Sequence, residues 1–102
     1  MIPLITQKQE QIAGLCHRLK VRRLDVFDSA ANGTFDPQTS DLDFLVEFGE
    51  HDTLNLFDRY FELAESLETL FGRKVDLVRA RPFKNPYFRA SVEATKELVY
   101  AP

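Results

Sequence analysis

The run from Asp41 to Phe48 constrains the fold more than any other part of the chain. Leu42, Phe44, Val46 and Phe48 alternate there with Asp41, Asp43, Leu45 and Glu47. A period of two marks a strand, because successive side chains of a strand point to opposite faces of its sheet. One face of this strand is apolar and belongs against a core. On the other, the two aspartates Asp41 and Asp43 point the same way.

Other periodic segments set the architecture around it. Ile5, Ile12, Leu15 and Leu19 share one side of a helix expected from Thr6 to Lys20, with Thr6 as its N-cap. Leu24 to Phe27 reads as a short strand, and Asn32, Gly33, Asp36 and Pro37 mark a helical turn followed by a loop. Leu54, Phe57, Phe61, Ala64, Leu67 and Leu70 recur at helical spacing between Thr53, a candidate cap, and Phe71, with Gly72 as the stop. Val75 to Val78 reads as a strand with Asp76 and Val78 on one face and Val75 and Leu77 on the other. A final helix is expected from Pro86 to Tyr100, capped by Asn85, with Phe88, Val92, Thr95 and Val99 facing inward. These patterns alternate without repeat or linker. We therefore expect one α+β domain over residues 1–102, a small mixed β-sheet flanked by α-helices.

Composition narrows the function. A chain of 102 residues, 44% hydrophobic, with nine Phe and no Trp, suits one small core and leaves apolar surface for a homodimer or another partner. The net charge of -3 argues against stable nucleic-acid binding through a broad basic surface. Cys16 is the single cysteine and falls on the apolar side of the first helix, so it reads as a core residue. Gln7, Lys8, Gln9 and Glu10 interrupt any signal-like apolar stretch, and no run approaches the roughly 18 residues of a membrane span, which points to a cytoplasmic protein. His17 and His51 have no metal-ligand spacing, and neither a P-loop nor a dinucleotide-binding glycine motif is present. Arg73, Lys74, Arg79, Arg81 and Lys84 gather around the Val75 strand and the loop after it, where they suit an ordinary solvated surface or contact with a triphosphate, an acidic partner or RNA.

Carboxylates two residues apart on a strand stand roughly 7 Å apart along the chain, close enough to serve one Mg²⁺ or a metal pair. Asp76 offers a third carboxylate from another strand. By themselves Asp41 and Asp43 are weak evidence, because two aspartates at a strand entrance usually solvate a turn or cap a neighbouring element. Ser29 and Gly33 tip the balance, because they lie just upstream at a strand-to-helix turn, where backbone N–H groups can hold phosphate oxygens.

Taken in order, Ser29, Gly33, Ser40-Asp41-Leu42-Asp43 and Lys74-Val75-Asp76-Leu77-Val78 resemble the minimal nucleotidyltransferase family of the polymerase-beta-like superfamily. The likeness runs from Leu24 through Phe48 to Val78 and on to the terminal segment. It implies the nucleotidyltransferase fold and a catalytic, metal-binding set of Asp41, Asp43 and Asp76. It also implies a nucleotide-binding segment holding Asp28, Ser29, Gly33 and Ser40, with Ser29 on the phosphates. The cofactor implied is Mg²⁺ or Mn²⁺, and the substrate is a nucleoside triphosphate such as ATP. The implied reaction moves a nucleoside monophosphate to an acceptor hydroxyl, and the implied partner is a HEPN-type helical protein, with the chain as antitoxin. Asp28 stands where the family has a glycine, and Asn32 where an arginine is frequent. A carboxylate beside a phosphate adds bulk and repulsion, which leaves open a second reading in which the fold acts by direct contact with its partner.

Overall fold

In the computed structural model, residues 3–27, 41–49, 55–80 and 84–102 are described. Pro3–Thr6 forms a short helix, α1, and Gln9–Arg18 a second, α2. The single helix expected from Thr6 is thus broken at Gln7 and Lys8. There the backbone bonding tightens: the Lys8 amide donates to the Ile5 carbonyl three residues back, at 3.0 Å. Thr6 consequently ends α1 instead of capping a longer helix. Ile5, Ile12 and Cys16 are fully buried, and Leu19 nearly so. Burial pushes the Cys16 thiol up to about 12, as suits a core residue.

Val21–Phe27 forms β1, Leu42–Phe48 forms β2 and Val75–Arg79 forms β3. β1 begins three residues before the expected start because the end of β2 offers it a partner, Phe48 opposite Val21. Between β2 and β3 lies α3, Leu56–Phe71. These two strands pair in parallel, and a parallel pair needs such a crossover. Gly72 ends α3 with φ 65°, a left-handed conformation that costs glycine little, and its amide closes the helix on the Glu68 carbonyl at 2.8 Å.

The expected stripe holds in the second half of α3, at Ala64, Leu67 and Leu70, and fails in the first half, at Phe57 and Phe61; Leu54 lies outside the described residues. Leu63 and Leu67 are fully buried, with Leu56, Tyr60, Ala64, Leu70 and Phe71 packed beside them, whereas Phe57 is 73% exposed and Phe61 46%. Both stripes obey helical spacing, so periodicity alone could not choose. Two polar anchors accompany the observed rotation. The Tyr60 hydroxyl donates to the Leu77 carbonyl, and the Arg59 guanidinium lies 5.2 Å from the centre of the Phe48 ring.

The last helix, α4, spans Pro86–Thr95 and is followed by a strand, β4, over Glu97–Tyr100, so the helix expected to reach Tyr100 stops five residues earlier. Its start is as expected: Asn85 Oδ1 accepts from the amides of Tyr87 and Phe88 at 2.9 and 3.3 Å, with Pro86 at the first position. Its end is decided by tertiary pairing. The free edge of β1 receives β4, with Leu98 opposite Asp25, and Leu98, Val99 and Tyr100 are suited to a pleated, half-buried surface.

Among the described residues the sheet has the order β3-β2-β1-β4, antiparallel throughout except for the β2–β3 pair. This is the mixed sheet of an α+β fold. One face carries Leu24, Val26, Leu42, Phe44, Val46, Val75 and Leu77 against α2 and α3. The opposite face holds a smaller cluster of Phe27, Leu45 and Val92, with Val78 and Ala80 beside it, under α4. Among the described residues no helix is long and apolar enough to cross a membrane.

Candidate nucleotide-transfer site

Strand register brings two of the sequence-derived carboxylates together. Asp43 on β2 is the cross-strand partner of Asp76 on β3. Partners on neighbouring strands lie about 4.8 Å apart and project to the same face, so two half-buried acidic side chains stand side by side. On its other flank Asp43 is paired with Phe27, the last residue of β1. The pair therefore sits where β1 ends and where β2 and β3 begin.

Asp41 precedes β2 by one residue. Its Oδ2 lies 3.8 Å from Nζ of Lys74, whose side chain is largely in water while that of Asp41 is half-buried. Among the described residues no three carboxylate, imidazole or thiolate side chains close around one point. Asp43 and Asp76 thus share a register position, while Asp41 is turned to a lysine at the rim. Asp28, Ser29, Gly33 and Ser40, the expected nucleotide-binding residues, lie outside the described residues, as does Arg81 of the basic group. His17 is exposed on α2.

A residue that sequence reasoning passed over also lies on the acidic face. Asp25 is 2% exposed and is opposite Leu45. Arg23 grips it in a two-pronged ion pair, Nε to Oδ2 at 2.9 Å and Nη2 to Oδ1 at 3.0 Å. The hydrogen bond to Asp25 raises the Arg23 pKa above its ordinary value, with the charges of Asp25, Glu47 and Glu93 adding to it. The signal was present in the alternation Arg23, Asp25, Phe27, which places Asp25 on the same face as Asp43.

Hard carboxylate oxygens on adjoining strands form a donor set that suits Mg²⁺ or Mn²⁺. Their mutual repulsion, at strand-to-strand spacing, also favours a cation between them.

Residues 8–99 match the family model described as a nucleotidyltransferase domain. The sequence is 38% identical to a candidate protein adenylyltransferase of Methanocaldococcus jannaschii, MJ1379, over 94% of this chain and 90% of that protein. It is 36% identical to the protein adenylyltransferase MntA of Thermococcus cleftensis, over 84% of this chain and 80% of that one. In structure it is similar to a candidate minimal nucleotidyltransferase, with a TM-score of 0.72 and 34% identity, covering 94% of this chain and 95% of that one. A toxin–antitoxin crystal structure with AMP-PNP gives a TM-score of 0.69 at 25% identity, covering 92% of this chain and 73% of that one. The chain belongs to the nucleotidyltransferase-domain family.

Proposed function

We propose that the chain moves the AMP group of ATP to a hydroxyl on a HEPN-type helical partner, as the antitoxin of a cytoplasmic toxin–antitoxin pair. One observation supports this above the rest: Asp43 and Asp76 are cross-strand partners at the sheet end where β1 stops and β2 and β3 start. Family membership adds to it, as do relatives that carry the adenylyltransferase name and a neighbour that is a toxin–antitoxin with AMP-PNP.

In this reading Asp41 and Asp43 hold Mg²⁺ or Mn²⁺, with Asp76 as the third carboxylate. Bound there, the ion neutralises the triphosphate and favours the departure of pyrophosphate. Asp41 joins the site by giving up its contact with Lys74, which as an exposed pair is worth at most about 1 kcal/mol. Ser29, with Asp28, Gly33 and Ser40 in the same segment, positions the phosphates. The acceptor oxygen bonds to the α-phosphorus, the bond from that phosphorus to pyrophosphate breaks, and Asp76 takes the hydroxyl proton. Phe57 and Phe61, exposed on α3 with ring centres 4.6 Å apart, give apolar surface through which a partner or a second copy associates.

The test uses ATP labelled at either the α or the γ phosphorus, with Mg²⁺ and a HEPN-type helical protein as acceptor. Label from the α position on the partner, with pyrophosphate released, is the expected result. Partner binding without any label would favour action by contact alone, and γ-label on the partner would contradict the proposed chemistry.

A further inference from the structure

Lys74 is not assigned by the reading above, yet it occupies the rim of the same site. Its backbone is fixed from both sides. The Lys74 carbonyl accepts from the Leu42 amide at 3.5 Å, and the next amide, that of Val75, donates to Glu68 Oε2 at 3.2 Å. Lys74 is therefore anchored opposite the start of β2 and two residues before Asp76. Its side chain is another matter: 69% exposed, it ends 3.8 Å from Asp41 Oδ2. A fixed backbone with a long, hydrated ammonium stem gives a positive charge that can swing over several ångströms at little cost.

Asp43 and Asp76 face each other at this sheet end, and Asp41, one residue before β2, stands at the rim with the ammonium of Lys74 beside it. A triphosphate entering beside them brings further negative charge, and each nearby cation lowers that cost. A divalent ion held by Asp41 would compete with Lys74 for that carboxylate, and the released ammonium would be free to meet a phosphate.

Resting on the proposed transferase reading, we propose that Lys74 is a substrate-binding residue that serves two anions in turn. It holds Asp41 in the nucleotide-free protein and passes to a phosphate of the triphosphate once the divalent ion claims that carboxylate.

This exchange predicts opposite signs for two ligands. In Lys74→Met the competitor for Asp41 is gone, so Mn²⁺ alone should bind about two- to fivefold more tightly, the range expected for loss of an exposed ion pair. AMP-PNP with Mg²⁺ should bind about tenfold more weakly, because a charge-assisted phosphate contact is lost. Lys74→Arg, which keeps the charge, should recover most of the nucleotide affinity. Calorimetric titration of all three proteins reads both effects, and melting curves check that the exposed substitutions leave the fold intact. Unchanged nucleotide affinity in Lys74→Met would overturn the role of Lys74 while leaving the site itself standing. Weakening of both ligands together would show that Lys74 merely supports the local backbone, and would overturn it too. A wild-type protein that binds neither Mn²⁺ nor nucleotide would overturn the site and this proposal with it.

Discussion

The two faces of the sheet are built on different principles. Against α2 and α3, β1, β2 and β3 present mostly apolar side chains, many of them with no exposure at all, with Arg79 exposed at the far end of β3. Under α4 the same strands present Arg23, Asp25, Phe27, Asp43, Leu45, Glu47, Asp76 and Val78, an alternation of charge with a small apolar cluster. Burial of apolar area drives folding, and paired or crowded charges contribute little or oppose it. The first face thus carries stability, and the second is free to concentrate like charges where a cation and a phosphate can use them.

The comparison would break first at Phe44, which has no exposure and stacks on Phe71 with ring centres 6.1 Å apart. Phe44→Ala should cost about 3–5 kcal/mol in urea unfolding, whereas Leu45→Ala, one residue on but in the smaller cluster, should cost about 2 kcal/mol. Equal losses would mean that both faces support the fold alike.

Cys16 sharpens the contrast through pH. Its thiol is raised from 9.0 to about 12 by burial, so the folded chain keeps its proton while the unfolded chain loses it. The folded state then binds more protons, and stability is fully present below about pH 9 and falls as pH rises toward 12. At pH 10.5 the loss should be about 2 kcal/mol, from one and a half units of unmatched ionisation. Cys16→Ala should show a flatter decline over this window; identical slopes would show that the thiol ionises as readily in the fold as outside it.

Asp25 tests the other face. Asp25→Asn weakens the ion pair with Arg23 beneath α4 but leaves a shape that fits, so a loss of about 1–2 kcal/mol is expected. A loss as large as that at Phe44 would place a stability element among the charges and blur the division.

Much of this arrangement could be read from residue order. The alternation from Leu42 to Phe48 gave both the buried face and the acidic one, and Asn85-Pro86 and Gly72 marked true helix limits. What could not be read was settled by pairing across the chain. Glu97–Tyr100 has a helix-compatible pattern, but the open edge of β1 claims it as a strand. Two apolar stripes on α3 satisfy the same period, and contacts of Tyr60 and Arg59 with other elements accompany the one that is buried. At the site, Asp41, Asp43 and Asp76 were visible as residue types. The opposition of Asp43 and Asp76 depends on a register between strands more than thirty positions apart, and the turn of Asp41 toward Lys74 on a side-chain contact. Neither is a local property of the sequence.

The smallest effect on stability should accompany the largest effect on function, and Asp43→Asn measures both. Relief of the repulsion from Asp76 offsets the loss of the favourable contact of Asp43, so this substitution should leave metal-free stability within about 0.5 kcal/mol of the wild type. In parallel, Mg²⁺-dependent transfer of α-labelled AMP should be lost and Mg²⁺ should no longer raise the melting temperature. An Asp43→Asn protein that still transfers label, or one that unfolds like Phe44→Ala, would contradict the division between a face for stability and a face for chemistry.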